Sequence, residues 1–251
     1  MKLDCILTAV NEKPLYLDFV PIFIKIWNKL YPEVDVKIIL IAKDIPNELL
    51  IYKQNIILFK PIENIKTSFI SQYIRLLYPS ILEYKNGVMI TDIDNVPMNR
   101  SFFTKNIESI SDNKWINLRN WQEDEQISMC WQVATPEIWK EVFKINNLKQ
   151  IKENIISINS LISYNDIPGN ESWCTDQLVL YEKVMKWNKI TNNYICLNDK
   201  DTGFNRLGRN KFKINDKNIK NNIKNGVYSD YHCYRPMSKY SKINYEIYNL
   251  L

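Results

Sequence analysis

The chain has 251 residues, 45% hydrophobic and 24% charged, with a formal net charge of +5. That composition excludes a disordered chain and is enough for a full core. The mild positive balance suits an anionic ligand such as a nucleotide and is too small to argue for nucleic acid. No run reaches the roughly 20 apolar residues that span a bilayer. Asp4 and Glu12 interrupt the apolar start, so no signal peptide is visible. The five cysteines are widely spaced with no C-x-x-C pair, which points to a reducing compartment and against a structural zinc site. A soluble, cytoplasmic protein is the expectation.

Lys2 to Val10 reads as a strand ending in Thr8-Ala9-Val10-Asn11. Pro14 suits a first helical turn and opens a helical stretch to Leu30, with Leu17, Val20, Ile24 and Trp27 apolar. Val36 to Ala42 is a second apolar strand, Pro46 to Gln54 a short helix, and Asn55 to Phe59 a third strand. Thr67 to Leu82 has helical periodicity, which Pro79 must kink or divide. Gly87 to Asp94 is the fourth strand. Alternation of this kind predicts a parallel sheet built by right-handed crossovers.

Beyond Asp94 the pattern changes. Trp115 to Leu118 and Ser128 to Val133 look like strands, and Pro136 to Phe143 and Leu148 to Tyr164 like helices. A turn over Gly169 to Trp173 leads into a strong helix from Thr175 to Trp187, and Asn193 to Leu197 is a late strand. Asn205 to Asn225 is rich in Lys and Asn and reads as a loop. Tyr228 to Tyr234 returns to strand character and carries the single histidine, His232.

The chemistry concentrates around Asp92-Ile93-Asp94. Ligands of open α/β sheets bind at the carboxyl ends of strands, where this run falls. If the strand stays extended, alternate residues share a side and the two carboxylates converge. Hard divalent cations take such oxygens and bridge them to a diphosphate. The other reading is a capping or solvated pair after a core strand. His232 could supply an imidazole, and two carboxylates with one histidine favour Mn²⁺ over Mg²⁺. Asp176 and Gln177 open a helix; Asp176 is either a dipole partner or a carboxylate aimed into the cleft. Arg75 interrupts an apolar helix, where a charge is costly unless paired; it either reaches solvent or meets an anion such as Asp92.

Three ordered pieces resemble the GT-A fold nucleotide-sugar glycosyltransferases. They are the strand ending in Asp92-Ile93-Asp94, the preceding Tyr73-Ile74-Arg75-Leu76-Leu77-Tyr78-Pro79, and the Thr175-Asp176-Gln177 helix start followed late by His232. The second is similar to the Y-x-R-L-x-x-P signature of glycogenin-like and lipopolysaccharide galactosyltransferase-like enzymes. The family's H-x-x-G-x-x-K-P-W ending is absent. The resemblance implies an α/β GT-A (Rossmann-like) fold, with a mixed, mainly parallel central sheet flanked by helices. It implies one catalytic domain, with residues 1–97 as the nucleotide-binding half and 98–251 as the acceptor-side half.

The resemblance also implies roles. Thr8, Ala9, Val10 and Asn11 would line the nucleotide pocket, and Tyr16 would stack on the base. Asp92, Asp94 and His232 would hold Mn²⁺ or Mg²⁺, with Ile93 between the aspartates. Arg235, and with it Arg75 or Arg206, would meet the phosphates. Asp176 and Gln177 would act near the acceptor or donor sugar, and Trp121, Trp131 and Trp173 could form an acceptor platform. The implied activity moves a hexose or deoxyhexose from a nucleoside diphosphate sugar, UDP-type favoured, to a hydroxyl of a glycan or glycoconjugate. A sugar-nucleotide nucleotidyltransferase is the second reading, opposed by the lack of glycine in Thr8 to Lys13. A non-catalytic nucleotide-sugar-binding module is the third.

Overall fold

Six of the nine residues of β1 (Leu3–Asn11) are apolar and seven are buried, on both faces of the strand, as a position inside a parallel sheet requires. A computed structural model describes the chain except residues 120–124, 168–170 and 214. After β1 come α1 (Pro14–Leu17), α2 (Val20–Leu30), β2 (Asp35–Ile41), β3 (Ile56–Phe59), α3 (Thr67–Leu77) and β4 (Gly87–Ile90). As Pro79 requires, α3 stops at Leu77 and a 3-10 turn follows over Tyr78–Ile81. The next elements are β5 (Asn95–Pro97), α4 (Arg100–Glu108), β6 (Trp115–Asn117), β7 (Gln132–Ala134), α5 (Pro136–Phe143) and α6 (Leu148–Leu161). The chain ends with α7 (Thr175–Thr191), β8 (Tyr194–Cys196), α8 (Asp199–Thr202), β9 (Asn205–Leu207), α9 (Lys217–Lys224), β10 (Tyr228–His232) and α10 (Met237–Leu250).

The main sheet has seven strands in the order β3-β2-β1-β4-β7-β6-β8. Neighbours β3-β2-β1-β4 are parallel, as are β6 and β8, while β7 runs antiparallel to both β4 and β6. This is the mixed, mainly parallel α/β sheet expected. Two apolar layers cover it. Ile6, Val10 and Met89 face Phe23, Trp27, Phe103 and Trp131 on one side. Leu7, Val88 and Ile90 face Phe69, Ile74, Trp139 and Leu180 on the other. Gly87 suits the crowded start of β4, because a Cβ there would lie 3.0 Å from Lys2 O, Met1 Sδ and Val133 Cγ1, tighter than an ordinary contact.

A second sheet, in the order β5-β10-β9, is what reaches the site. β10 runs antiparallel to β5, with His232 opposite Asn95, and parallel to β9. An ionic anchor holds β10. The buried Asp230 accepts from Arg119 Nη1, from Arg206 Nε at 2.6 Å and from the Ser229 hydroxyl.

The stretch from Asn205 to Asn225, expected as a loop, instead holds β9 and α9. Asp216 caps α9 by accepting from the backbone N–H groups of Asn218 and Ile219, and Ile223 alone in the helix is buried. One buried residue in a Lys/Asn-rich helix leaves almost no apolar period to detect. The expected strand Ser128 to Val133 starts only at Gln132, since Trp131 has a φ of +65° and breaks extension. The expected turn at Gly169 lies partly outside the described residues.

Candidate active site

The fourth strand ends earlier than its apolar run suggests. β4 stops at Ile90, and Asn95 N–H donates to the Asp92 carbonyl at 3.1 Å, closing a turn. The two carboxylates therefore leave a turn, not an extended strand, and they hold different partners. Asp92 faces α3 and Asp94 faces β10. Both still line one cleft of about 440 Å³, at the carboxyl ends of β1 and β4, where open α/β sheets place ligands.

Asp94 meets β10 because β5 begins at the next residue. Pairing of Asn95 with His232, and a 2.8 Å hydrogen bond from Cys233 N–H to the Asp94 carbonyl, fix the two segments together. His232 Nε2 then lies 3.2 Å from Asp94 Oδ2, across 138 residues of sequence. Two guanidinium groups approach the same oxygen, Arg209 Nη2 at 3.1 Å and Arg235 Nε at 3.3 Å. Arg209 Nη2 also contacts His232 Nε2.

Asp92 belongs to another set. Arg75 Nη1 donates to its Oδ1 and, at 3.1 Å, to the Thr91 carbonyl. The Cys130 thiol donates to Asp92 Oδ2 at 3.0 Å and accepts from Asn95 Nδ2 at 3.0 Å. Arg75 Nη2 reaches Asp176 Oδ2 at 3.2 Å, so one buried arginine bridges two carboxylates. This pairing is why a charge is tolerated inside α3.

The pKa values follow these partners. Loss of water at the cleft floor would raise the Asp92 carboxyl. Arg75 and Cys130 outweigh that and hold it at about 2. For Asp176 burial prevails and, with repulsion from Asp92, lifts it to about 6 against the pull of Arg75. Burial beside Asp92 pushes the Cys130 thiol up to about 12, so it stays a proton donor.

Of the other expected residues, Ala9, Val10, Asn11, Tyr16, Ile93, Gln177 and Arg235 line the cleft. Asn11 is fixed by donating to Thr67 Oγ1 at 3.2 Å. Thr8 is fully buried in the sheet and is not among the residues that line the cleft. The Tyr16 ring is covered by the Arg235 guanidinium, 5.4 Å from its centroid, and its hydroxyl accepts from Arg235 Nη1. Arg206 is drawn to Asp230 and does not reach the cleft. Trp173 is in the cleft wall, Trp131 is fully buried core, and Trp121 lies outside the described residues. Sequence reasoning missed Arg209, inside the stretch read as a loop, and Cys130, read only by its spacing from other cysteines.

Solved structures with the same architecture are glycosyltransferases. The galactosyltransferase LgtC, solved with donor and acceptor sugar analogues, superposes with a TM-score of 0.51 at 12% identity, over 98% of this chain and 94% of LgtC. GlyE of Streptococcus pneumoniae, also a glycosyltransferase, gives 0.51 at 14% identity over 98% of this chain, which spans 60% of the GlyE chain. This chain has the GT-A fold. No family model matches its sequence, and no curated protein does. Among the described residues, no helix of this GT-A chain is long and apolar enough to cross a membrane.

The donor set of this GT-A cleft can be tested against a divalent cation. Two ligands at about 2.1 Å from an ion, at right angles, lie about 3 Å apart. Asp94 Oδ2 and His232 Nε2, at 3.2 Å, meet that requirement. A carboxylate oxygen with an imidazole nitrogen suits Mn²⁺. Asp92, expected as a further ligand, is held by Arg75 and Cys130. Among the described residues there is no group of three His, Cys, Asp or Glu side chains that could hold an ion. A divalent cation at this pair would therefore take two protein ligands and would need phosphate oxygens of a substrate to complete its coordination.

Proposed function

We propose that this chain transfers a sugar from a nucleoside diphosphate sugar, UDP-type favoured, to a hydroxyl of a glycan or glycoconjugate. The observation that carries the reading is the convergence of Asp94, His232 and Arg235 beside the Asp92–Arg75–Asp176 bridge, in one cleft at the sheet's carboxyl edge. The GT-A fold shared with glycosyltransferases supports it.

Asp94 and His232 are the residues for Mn²⁺ or Mg²⁺. A divalent cation bound there would supply Lewis-acid stabilisation of the leaving diphosphate. Arg235, released from Tyr16, donates to phosphate oxygens, a pairing that guanidinium geometry favours. Its withdrawal also uncovers the Tyr16 ring for the base. Arg75 holds Asp92 ionised and keeps Asp176 fixed at the floor. In an inverting transfer Asp176 is the group that takes the acceptor proton. In a retaining transfer Asp176 orients the donor sugar. Gln177 and Trp173 line the acceptor end. The lack of glycine from Thr8 to Lys13, the end of β1 and the residues after it, supports sugar transfer over nucleotidyl transfer.

The test is thermal unfolding with UDP, GDP, dTDP and CDP, each with and without Mn²⁺. One nucleotide should raise the melting temperature more with Mn²⁺ present, as native-state binding does by mass action. Asp94→Asn should abolish the Mn²⁺-dependent part and donor turnover while melting as a folded protein. Full turnover in that variant would remove the assignment of Asp94.

A further inference from the structure

Asp94 is over-compensated. Its single carboxylate pairs with both Arg209 and Arg235, and among the described residues neither arginine pairs with any other acid. Arg209 is distinguished from Arg235 by its second contact. Its Nη2 touches Asp94 Oδ2 and His232 Nε2 together, so it sits at the point a divalent cation between them would take. The residue comes from the 3-10 turn Arg209–Lys211, whose neighbours Asn210 and Lys211 are exposed. Nothing lies within 4 Å of a Cβ built at the preceding Gly208, so the backbone there is uncrowded on that side.

We propose that Arg209 is the internal counter-ion of the donor site. Its guanidinium holds the Asp94–His232 pair in the ligand-free chain. It passes to the donor diphosphate when a divalent cation and the diphosphate enter together. This rests on the reading of the cleft as a nucleoside diphosphate sugar site.

The argument is one of charge and geometry. Entry of a divalent cation at this pair requires Arg209 to leave, since two cations cannot share the position. Arg209 then needs an anion, and Asp94 is committed. A diphosphate brings several acceptor oxygens and enough negative charge for Arg209, Arg235 and the ion. Metal entry and diphosphate binding are therefore coupled through one side chain. By linkage, each strengthens the other by the same factor. Such coupling would keep the cleft from holding a divalent cation without a donor. It would also deliver Arg209 to the diphosphate only when a donor is present.

The experiment is calorimetric titration of Mn²⁺ into the full chain, alone and saturated with UDP, for wild type, Arg209→Ala, Arg209→Gln and Asp94→Asn. GDP, dTDP or CDP replaces UDP if the unfolding panel selects it. In wild type the nucleotide should raise Mn²⁺ affinity about tenfold or more. In Arg209→Ala, Mn²⁺ alone should bind several-fold tighter, and the coupling should shrink to the part that direct phosphate coordination of the ion supplies. Arg209→Gln removes the charge but keeps donor groups, so it should behave like Arg209→Ala and covers the case in which Ala does not fold. Mn²⁺ binding alone that is unchanged or weaker in the folded variant overturns the role of Arg209. If Asp94→Asn still abolishes binding in that case, the transferase reading stands without it. Failure of wild type to bind any of the four nucleotides overturns that reading and this proposal together.

Discussion

Asp176 and Asp92 share Arg75 but respond to acid in opposite directions. The Asp176 carboxyl, lifted from 3.8 to about 6 by burial, binds its proton more tightly in the native state than in the unfolded chain. Its contribution to stability is then full below about pH 4 and is lost as pH rises through about 6. At 1.36 kcal/mol per unit, the span is roughly 3 kcal/mol. Asp176→Asn should therefore flatten the fall in melting temperature between pH 4 and pH 7 relative to wild type. Parallel profiles would show that Asp176 does not titrate near 6. Asp92 runs the other way: held at about 2, it stabilises above about pH 4, and that stabilisation is lost as pH falls towards 2. In an inverting transfer, kcat/KM should also decline below about pH 6 as Asp176 gains a proton. An acid limb centred near pH 4 would remove Asp176 as the base.

At the scale of elements, β10 decides the site, and a buried ion cluster decides β10. Asp230 is fully buried among Arg119, Arg206 and Ser229, which hold its carboxyl at about 2 against burial. Removing one partner of such a cluster leaves buried charge uncompensated, at a cost of about 3–5 kcal/mol. Asp230→Ala should show that loss in urea unfolding, and the protein that remains folded should bind Mn²⁺ with nucleotide more weakly, since His232 lies two residues on. An unfolding midpoint within error of wild type would make the cluster a solvated ornament of the sheet.

The legibility of the sequence follows the same elements. β1 to β4 could be read because parallel strands covered on both faces leave continuous apolar runs. The aspartate turn could not, because Ile93 carries the apolar pattern past Ile90 while a hydrogen bond from Asn95 ends the strand. The cap of α4 is Asn99, which accepts from Ser101 N–H at 2.7 Å, but Asn is so abundant here that it marks nothing. Arg209 was hidden for the same reason, one cation in a Lys/Asn-rich stretch. His232 stood out because it is the single histidine.

At the scale of the molecule, the boundary near residue 97 divides labels more than it divides the core. β4 pairs with β7 through Val88–Ala134, Met89–Val133 and Ile90–Gln132, so the main sheet crosses it. β5 pairs with β10 and crosses it again. Trp27 packs on Phe103 and Trp131, with centroids 5.4 and 6.2 Å apart. The cleft draws Arg75, Asp92 and Asp94 from one side and Asp176, His232 and Arg235 from the other. Each half leaves a strand edge uncovered without the other, and Asp94 and Asp176 find their arginine partners across the boundary. We therefore expect unfolding in urea to be one transition, with tryptophan fluorescence and far-UV circular dichroism coincident. The fluorescence probe is informative because Trp27 lies before the boundary and Trp115, Trp131 and Trp139 lie after it. The selected nucleotide with Mn²⁺ should move that single transition as a whole, by about 2.7 kcal/mol at a hundredfold excess over Kd. Two separated transitions, with nucleotide moving only one, would mean that 1–97 folds as a nucleotide-binding unit of its own and that the pairings across the boundary add little.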